Sequence, residues 1–219
     1  GTRNFEGRML RLFERGKREE AWIIRDLRAA GMEVEDVDPE TGRQFEFSKL
    51  GGHFGGSGDA RATKVPGGGK AMHTLEFKTH RNTSFNHLVK NGVKKSKFVH
   101  YVQTNLYASW AGHTSSLYIG VGKNDDDYHI ERLKLDAKVV AEHEAKAESI
   151  IFGAGKPSQI STKASFYKCQ MCGFKKQCHG GKKPDENCRT CVYSRPHRDG
   201  TWRCGYSRRA WEIEDPILP

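Results

Sequence analysis

The first 168 of the 219 residues contain no cysteine, and all six cysteines fall between Cys169 and Cys204. A secreted disulfide scaffold more often spreads its cysteines through the fold, whereas clustered C-x2-C pairs in a basic intracellular protein point to metal. Long apolar runs are missing too. Nothing approaches the ~20 residues that cross a bilayer, and no secretory pattern opens the chain. The expectation is a soluble, cytoplasmic protein with no membrane partner. Internal repeats and long low-complexity segments are also absent. Acidic residues are in deficit, 27 against 37 Lys and Arg, which leaves a net charge of +10. A surplus of that size favours a polyanionic partner without proving one, since many basic proteins bind none.

What is present suffices for one domain of substantial core plus a small appendage. Helical spacing runs from about Phe5 to Ala30, with Glu20, Ile23, Ile24 and Leu27 on one stripe and Gly31 as its stop. A strand is expected over Arg43 to Leu50, a second over Gly58 to Val65 and a third over Met72 to Thr79, the last two joined by Pro66-Gly67-Gly68-Gly69. Helices follow at Thr83 to Asn91 and Ser96 to Ala111, the latter with Val99, Val102, Gln103, Leu106 and Trp110 on one face. Two more strands are expected at Ser116 to Val121 and Tyr128 to Leu135, and Asp136 caps a final helix. That order predicts an α/β fold with a mixed sheet flanked by helices. Gly153 to Ser161 reads as a linker, which divides the chain into residues 1–158 and 159–219.

The stretch from Gly55 to Thr79 carries the chemistry. Alternation along a strand puts Glu76 and Lys78 on one face and turns Leu75 and Phe77 into a core. Asp59, on the preceding strand, converges on the same hairpin. Two carboxylates and an ammonium at one point are what metal-assisted phosphodiester hydrolysis requires. Asp59 alone is an ordinary strand end, and Glu76 with Lys78 alone an ordinary polar face; their conjunction over an apolar core reads as a cleft.

With these residues the chain resembles the PD-(D/E)XK nuclease superfamily, particularly its RecB-like and phage lambda-exonuclease-like branches, over about Phe5 to Ile151. The pattern is Asp59 followed by Glu76-x-Lys78, with Gly16-x3-Glu20 on the helix before and Gln103-x3-Tyr107 on a helix after. Gly58, not proline, precedes Asp59, as is common in these branches. The resemblance implies a restriction-endonuclease-like fold and a catalytic set of Asp59, Glu76, Lys78, Glu20, Gln103 and Tyr107. Asp59, Glu76, the Phe77 carbonyl and Glu20 would hold Mg²⁺ or Mn²⁺, while Gln103 and Tyr107 position DNA or the metal ligands. His53 and His80 are set aside as structural histidines.

The tail pairs Cys169 with Cys172 and, fifteen residues on, Cys188 with Cys191, a zinc-ribbon spacing. Cys178, Cys204 and one of His179 or His197 complete a second Zn²⁺ site, or the ligands divide differently. A [4Fe–4S] cluster on Cys169, Cys172 and Cys178, as in some RecB-like nucleases, is the less favoured reading because its early cysteine is missing. From Ser161 onward there are twelve Lys/Arg against six Asp/Glu. Lys175, Lys176, Lys182, Lys183, Arg208 and Arg209, interleaved with Phe174, Tyr193 and Trp202, suit phosphate tracking and base stacking. A solvated surface explains them equally well.

The resulting expectation is a Mg²⁺- or Mn²⁺-dependent deoxyribonuclease of phage-like type, acting on duplex ends or single-stranded DNA, with a cysteine-rich zinc module. The competing readings are a nucleic-acid-binding or assembly module that has lost catalysis, and a structure-selective endonuclease.

Overall fold

A computed structural model describes residues 5–153, 155, 157–183, 186–206 and 210–211. In chain order the elements are α1 (Gly7–Ala29), β1 (Glu33–Glu35), β2 (Phe45–Lys49), β3 (Phe54–Gly58), β4 (Ala60–Thr63), β5 (His73–His80), α2 (Asn82–Ser96), α3 (Phe98–Trp110), β6 (Ser115–Gly122), β7 (Tyr128–Lys134) and α4 (Ala137–Phe152). Short elements follow: α5 (Tyr167–Gln170), α6 (Lys175–His179), β8 (Ser194–Pro196), β9 (Trp202–Cys204) and β10 (Ala210–Trp211). The chain divides into two compact units, Gly1–Phe47 with Gly55–Glu144, and Ser48–Phe54 with Ala145–Pro219.

The first unit is built on a five-stranded sheet in the order β1-β4-β5-β6-β7. Its central pair, β5 and β6, is parallel, and its other pairs are antiparallel. A parallel pair needs a crossover, here supplied by α2 and α3. Strand alternation sorts two cores. Leu75 and Phe77 of β5 and Leu117, Ile119 and Val121 of β6 pack with Ile23, Ile24 and Leu27 of α1. Tyr118 of β6 packs instead with Leu88 and Val93 of α2, Tyr101 of α3, Leu133 and Val139. The mixed sheet flanked by helices is therefore as the element order implies.

Helix ends follow local chemistry. Gly31 adopts φ +91°, and the Met32 N–H returns to the Leu27 carbonyl at 3.1 Å, closing α1. Asp136 caps α4 through Val139 N–H at 3.2 Å, and its other oxygen accepts from Lys94 and the Tyr101 hydroxyl.

Three expectations are corrected. The second strand is shorter than Gly58 to Val65: Gly58 ends β3, which pairs with β2 in a separate ribbon, and the main-sheet strand β4 starts just after Asp59 and stops at Thr63, before Lys64 at φ +57°. A short edge strand, β1, pairs with β4. On α3 the buried residues are Tyr101, Thr104, Asn105, Leu106, Tyr107 and Ala108, while Val99 is 76 % exposed. Polar contacts decide that orientation: Tyr101 and Asn105 both bond Asp136, and Tyr107 stacks on Phe47.

In the second unit, β8, β9 and β10 form an antiparallel sheet, with Ser194 opposite Cys204 and Pro196 opposite Trp202. The segment 48–54 is tied to it within this unit. A ring nitrogen of His53 bonds the His197 carbonyl at 2.9 Å, and the ring stands edge-on to Phe152 and Trp202. Among the described residues, no helix is long and apolar enough to cross a membrane.

Candidate active site

Asp59 occupies the single residue between β3 and β4, where the chain passes from ribbon to sheet. Its Oδ2 accepts the Phe77 N–H at 2.7 Å, which ties it to the middle of β5. Glu76, next to that amide, is 0 % exposed, and its carboxylate is ion-paired with the Lys78 ammonium two residues on. Among the described residues, no other donor reaches either Glu76 oxygen. A carboxylate buried with so little compensation is costly for the fold, and such costs concentrate at functional sites.

Electrostatics tie the group together. Burial, and then Asp59, push the Glu76 carboxyl up to about 8 against the opposing pull of Lys78. Burial also raises Asp59, with Lys78 and the Phe77 amide acting the other way. Glu20 is raised by burial and by Asp59. Burial pulls Lys78 down, but Glu76, Asp59 and Glu20 outweigh it and lift the ammonium above its ordinary value. Three carboxyls repelling one another around one lysine make a site deficient in positive charge.

From α1 comes the second wall. Gly16, Glu19, Glu20 and Ile23 face Phe77, Lys78 and Thr79 across a cleft of about 200 Å³. A Cβ on Gly16 would meet nothing within 4 Å, so the cleft is open there. Glu19 is the more buried glutamate, 6 % exposed, and pairs with Arg15 at 3.2 Å. The spacing Glu19–Ile23–Leu27 is as helical as that of Glu20 and offered the signal that sequence reading passed over.

Gln103 and Tyr107 reach the same place from α3. Burial followed by the charge of Glu76 raises the Tyr107 phenol, with neighbouring Gln103 acting the other way. The Tyr107 ring stacks on Phe47 at 5.0 Å. Its hydroxyl lies against Gly56, where a Cβ would overlap it, so glycine is required for this approach. Asp59, Glu76, Phe77, Lys78, Glu20, Gln103 and Tyr107 thus form one neighbourhood.

The donors of that neighbourhood are hard oxygens, and Glu76 has lone pairs to spare, which suits Mg²⁺ or Mn²⁺. Among the described residues, however, no three His, Cys, Asp or Glu side chains stand together so as to hold a metal ion. The close set is two carboxylates beside the Phe77 backbone, with Glu20 further out.

Among the described residues of the tail, no three ligand side chains are gathered into a set. Cys169 is buried in α5, and the Cys172 N–H bonds its carbonyl at 3.2 Å. In α6, the Cys178 Sγ accepts from Gln159 at 3.2 Å, and His179 is half-buried. Cys188 and Cys191 are exposed on a turn, and Cys204 ends β9. His197 pairs with Asp199 at 3.0 Å. Phe174 and Tyr193 are exposed and Trp202 half-buried; Arg208 and Arg209 lie outside the described residues.

No family model matches the chain, and no curated protein matches it in sequence. Two solved structures are similar in fold. One is LHK-Exo in complex with dAMP, at 21% identity and TM-score 0.47, covering 68% of this chain and 69% of that one. The other is SSO0001, at 15% identity and TM-score 0.44, covering 77% of this chain and 70% of that one. Similarity at this level concerns the fold, so the functional reading stands on the site itself.

Proposed function

We propose that the chain is a divalent-metal-dependent DNA nuclease, with its centre at Asp59, Glu76 and Lys78 and its preferred substrate duplex ends or single strands. One observation carries the reading: a fully buried Glu76, with no donor but Lys78 among the described residues, set next to the Phe77 amide that bonds Asp59 and directly behind a cleft lined by Glu20, Phe77 and Lys78. A binding module gains nothing from carboxylates that repel phosphate.

Asp59, Glu76 and the Phe77 carbonyl would hold Mg²⁺ or Mn²⁺, with Glu20 contributing from α1. Bound there, such an ion supplies Lewis acidity, lowering the pKa of a water and neutralising charge on the phosphate. Lys78, kept charged by its acidic neighbours, orients the nucleophile or offsets charge at the phosphate. Gln103 and Tyr107 place the strand. The dispersed Lys90, Lys94, Lys95 and Lys97 of α2 and its C-terminal flank suit sequence-independent backbone contact.

For the tail, residues 159–219, we propose structural Zn²⁺ on the spacing of its two C-x2-C pairs. Its side chains as placed do not form such a site, so nothing in the chemistry above is routed through it.

The nuclease reading is tested by offering linear duplex, closed circular duplex and single-stranded DNA with Mg²⁺, with Mn²⁺ and with EDTA. Metal-dependent loss of linear or single-stranded DNA, with circles spared, is expected. Discrete cutting of closed circles at a fixed sequence would favour an endonuclease, and no cleavage of any substrate would defeat the reading.

A further inference from the structure

The face of β5 that bears Glu76 and Lys78 also bears Thr74 before them and His80 beyond them, and it is His80 that the chemistry above leaves unused. It is buried, and its Nε2 stands 2.9 Å from the Tyr118 hydroxyl. His100, in the first turn of α3, brings Nδ1 to 2.9 Å from the same oxygen. Tyr118 is fully buried and lies in register beside Glu76 on the parallel neighbour β6. A hydroxyl has one proton, so between two neutral imidazoles it donates to one ring and accepts an N–H from the other. Both rings are held neutral, down to about 4, by burial first and then by lysines, Lys97 foremost for His80 and Lys78 for His100. The result is an ordered line of donors and acceptors joining β5, β6 and α3.

That line runs alongside Lys78. The residue of β6 in register with Lys78 is Gly120, which presents no side chain. A Cβ there would stand 2.7 Å from Leu88 and 3.3 Å from the His80 ring. Leu88 and the His80 ring therefore share the room that Gly120 leaves in register with the lysine. Along its own strand face Lys78 has Glu76 on one side and His80 on the other. The helix that delivers His100 also delivers Gln103 and Tyr107, three and seven residues later on the same stripe.

We propose that His80, Tyr118 and His100 are positioning residues, a hydrogen-bonded brace that fixes the Lys78 ammonium and the Gln103–Tyr107 stripe over the two carboxylates. A lysine stem has four rotatable bonds, and uncharged rings confine it without repelling its charge. The role in turnover rests on the nuclease reading above; the brace itself does not.

Tyr118→Phe removes one oxygen and keeps the ring. A roughly tenfold fall in kcat is expected, with KM within about twofold, because misplaced groups lose rate before they lose binding. His80→Gln puts an amide near the former Nε2 and His100→Asn puts one near the former Nδ1. Both should keep kcat within about threefold of wild type, whereas His80→Leu should match Tyr118→Phe. A folded Tyr118→Phe protein with wild-type kcat, or a glutamine as damaging as the leucine, would overturn the proposal. NMR of the full chain without metal or DNA reads the brace without turnover. One bonded ring nitrogen should be bare and the other protonated, and the Lys78 ε-methylene should be dispersed, with both signatures lost in Tyr118→Phe. Signals unmoved by that substitution would overturn the brace, whatever the activity. A wild type that shows both signatures yet never cleaves DNA supports the brace and overturns only the nuclease reading.

Discussion

Replacing Glu76 by glutamine should stabilise the metal-free protein at neutral pH while abolishing its activity. The Glu76 carboxyl is fully buried and, through burial and Asp59, raised from an ordinary 4.5 to about 8. Below pH 4.5 folded and unfolded chains both hold this proton. Above it the unfolded chain releases the proton and the folded chain does not, so stability falls as pH rises toward 8, by up to ~1.4 kcal/mol per pH unit. At pH 7 the accumulated cost is about 3 kcal/mol. Glutamine escapes that cost but weakens the hydrogen bond that the protonated carboxyl accepts from Lys78, whose side chain is 29 % exposed; such a bond is worth about 1 kcal/mol. The net gain is about 2 kcal/mol, several degrees in Tm for a chain of this size. Urea unfolding in EDTA at pH 5 and pH 7 measures it. The variant should be the more stable protein at pH 7, with the gap closing at pH 5. Magnesium should then reverse the order, since an ion at a hundred times its Kd adds about 2.7 kcal/mol to the wild type and little to the variant. A variant less stable than wild type at pH 7, or a gap independent of pH, would refute the reasoning.

Three further outcomes are expected. Gly56→Ala should push the Tyr107 hydroxyl away from β3, costing about 1–3 kcal/mol of stability by overpacking, and should lower cleavage with it; an unaffected folded variant would remove Tyr107 from the site. DNA binding and cleavage should weaken steeply between low and moderate salt and show little base preference, as backbone contacts do; salt-insensitive binding would argue against them. Metal analysis of anaerobically purified protein should find one to two equivalents of zinc, about what tetrahedral thiolate sites in this tail would take, and Cys188→Ser should destabilise the tail more than it alters cleavage. A brown protein with stoichiometric iron and sulfide would select the cluster instead.

How much of this was legible in the sequence depends on the range of the interaction. Glu76 and Lys78 share a face because they are two residues apart on a strand, a purely local fact. The stop at Gly31 and the cap at Asp136 are equally local, and both stand in the structure. The buried stripe of α3 was misread because its orientation is set by partners far away in sequence: Asp136 for Tyr101 and Asn105, and Phe47 for Tyr107. Counting aliphatic residues favoured Val99, which stands in solvent. His80 looks isolated in sequence. Only the parallel register of β5 with β6, which no periodicity reveals, places it within reach of Tyr118 and His100. The break at Asp59 was hidden for a similar reason, since β3 and β4 are both extended and separated by one residue, and differ in their pairing partner.

The central claim is that Asp59 and Glu76 act on DNA through a divalent ion. It is tested most directly by comparing wild type with Asp59→Ala and Glu76→Ala on linear duplex DNA, in Mg²⁺ and in EDTA, with DNA affinity measured in parallel. The account predicts cleavage by wild type in Mg²⁺ alone, none by either variant, and affinity in both variants equal to or tighter than wild type. Wild-type-like turnover in either variant, or cleavage that persists in EDTA, would contradict it.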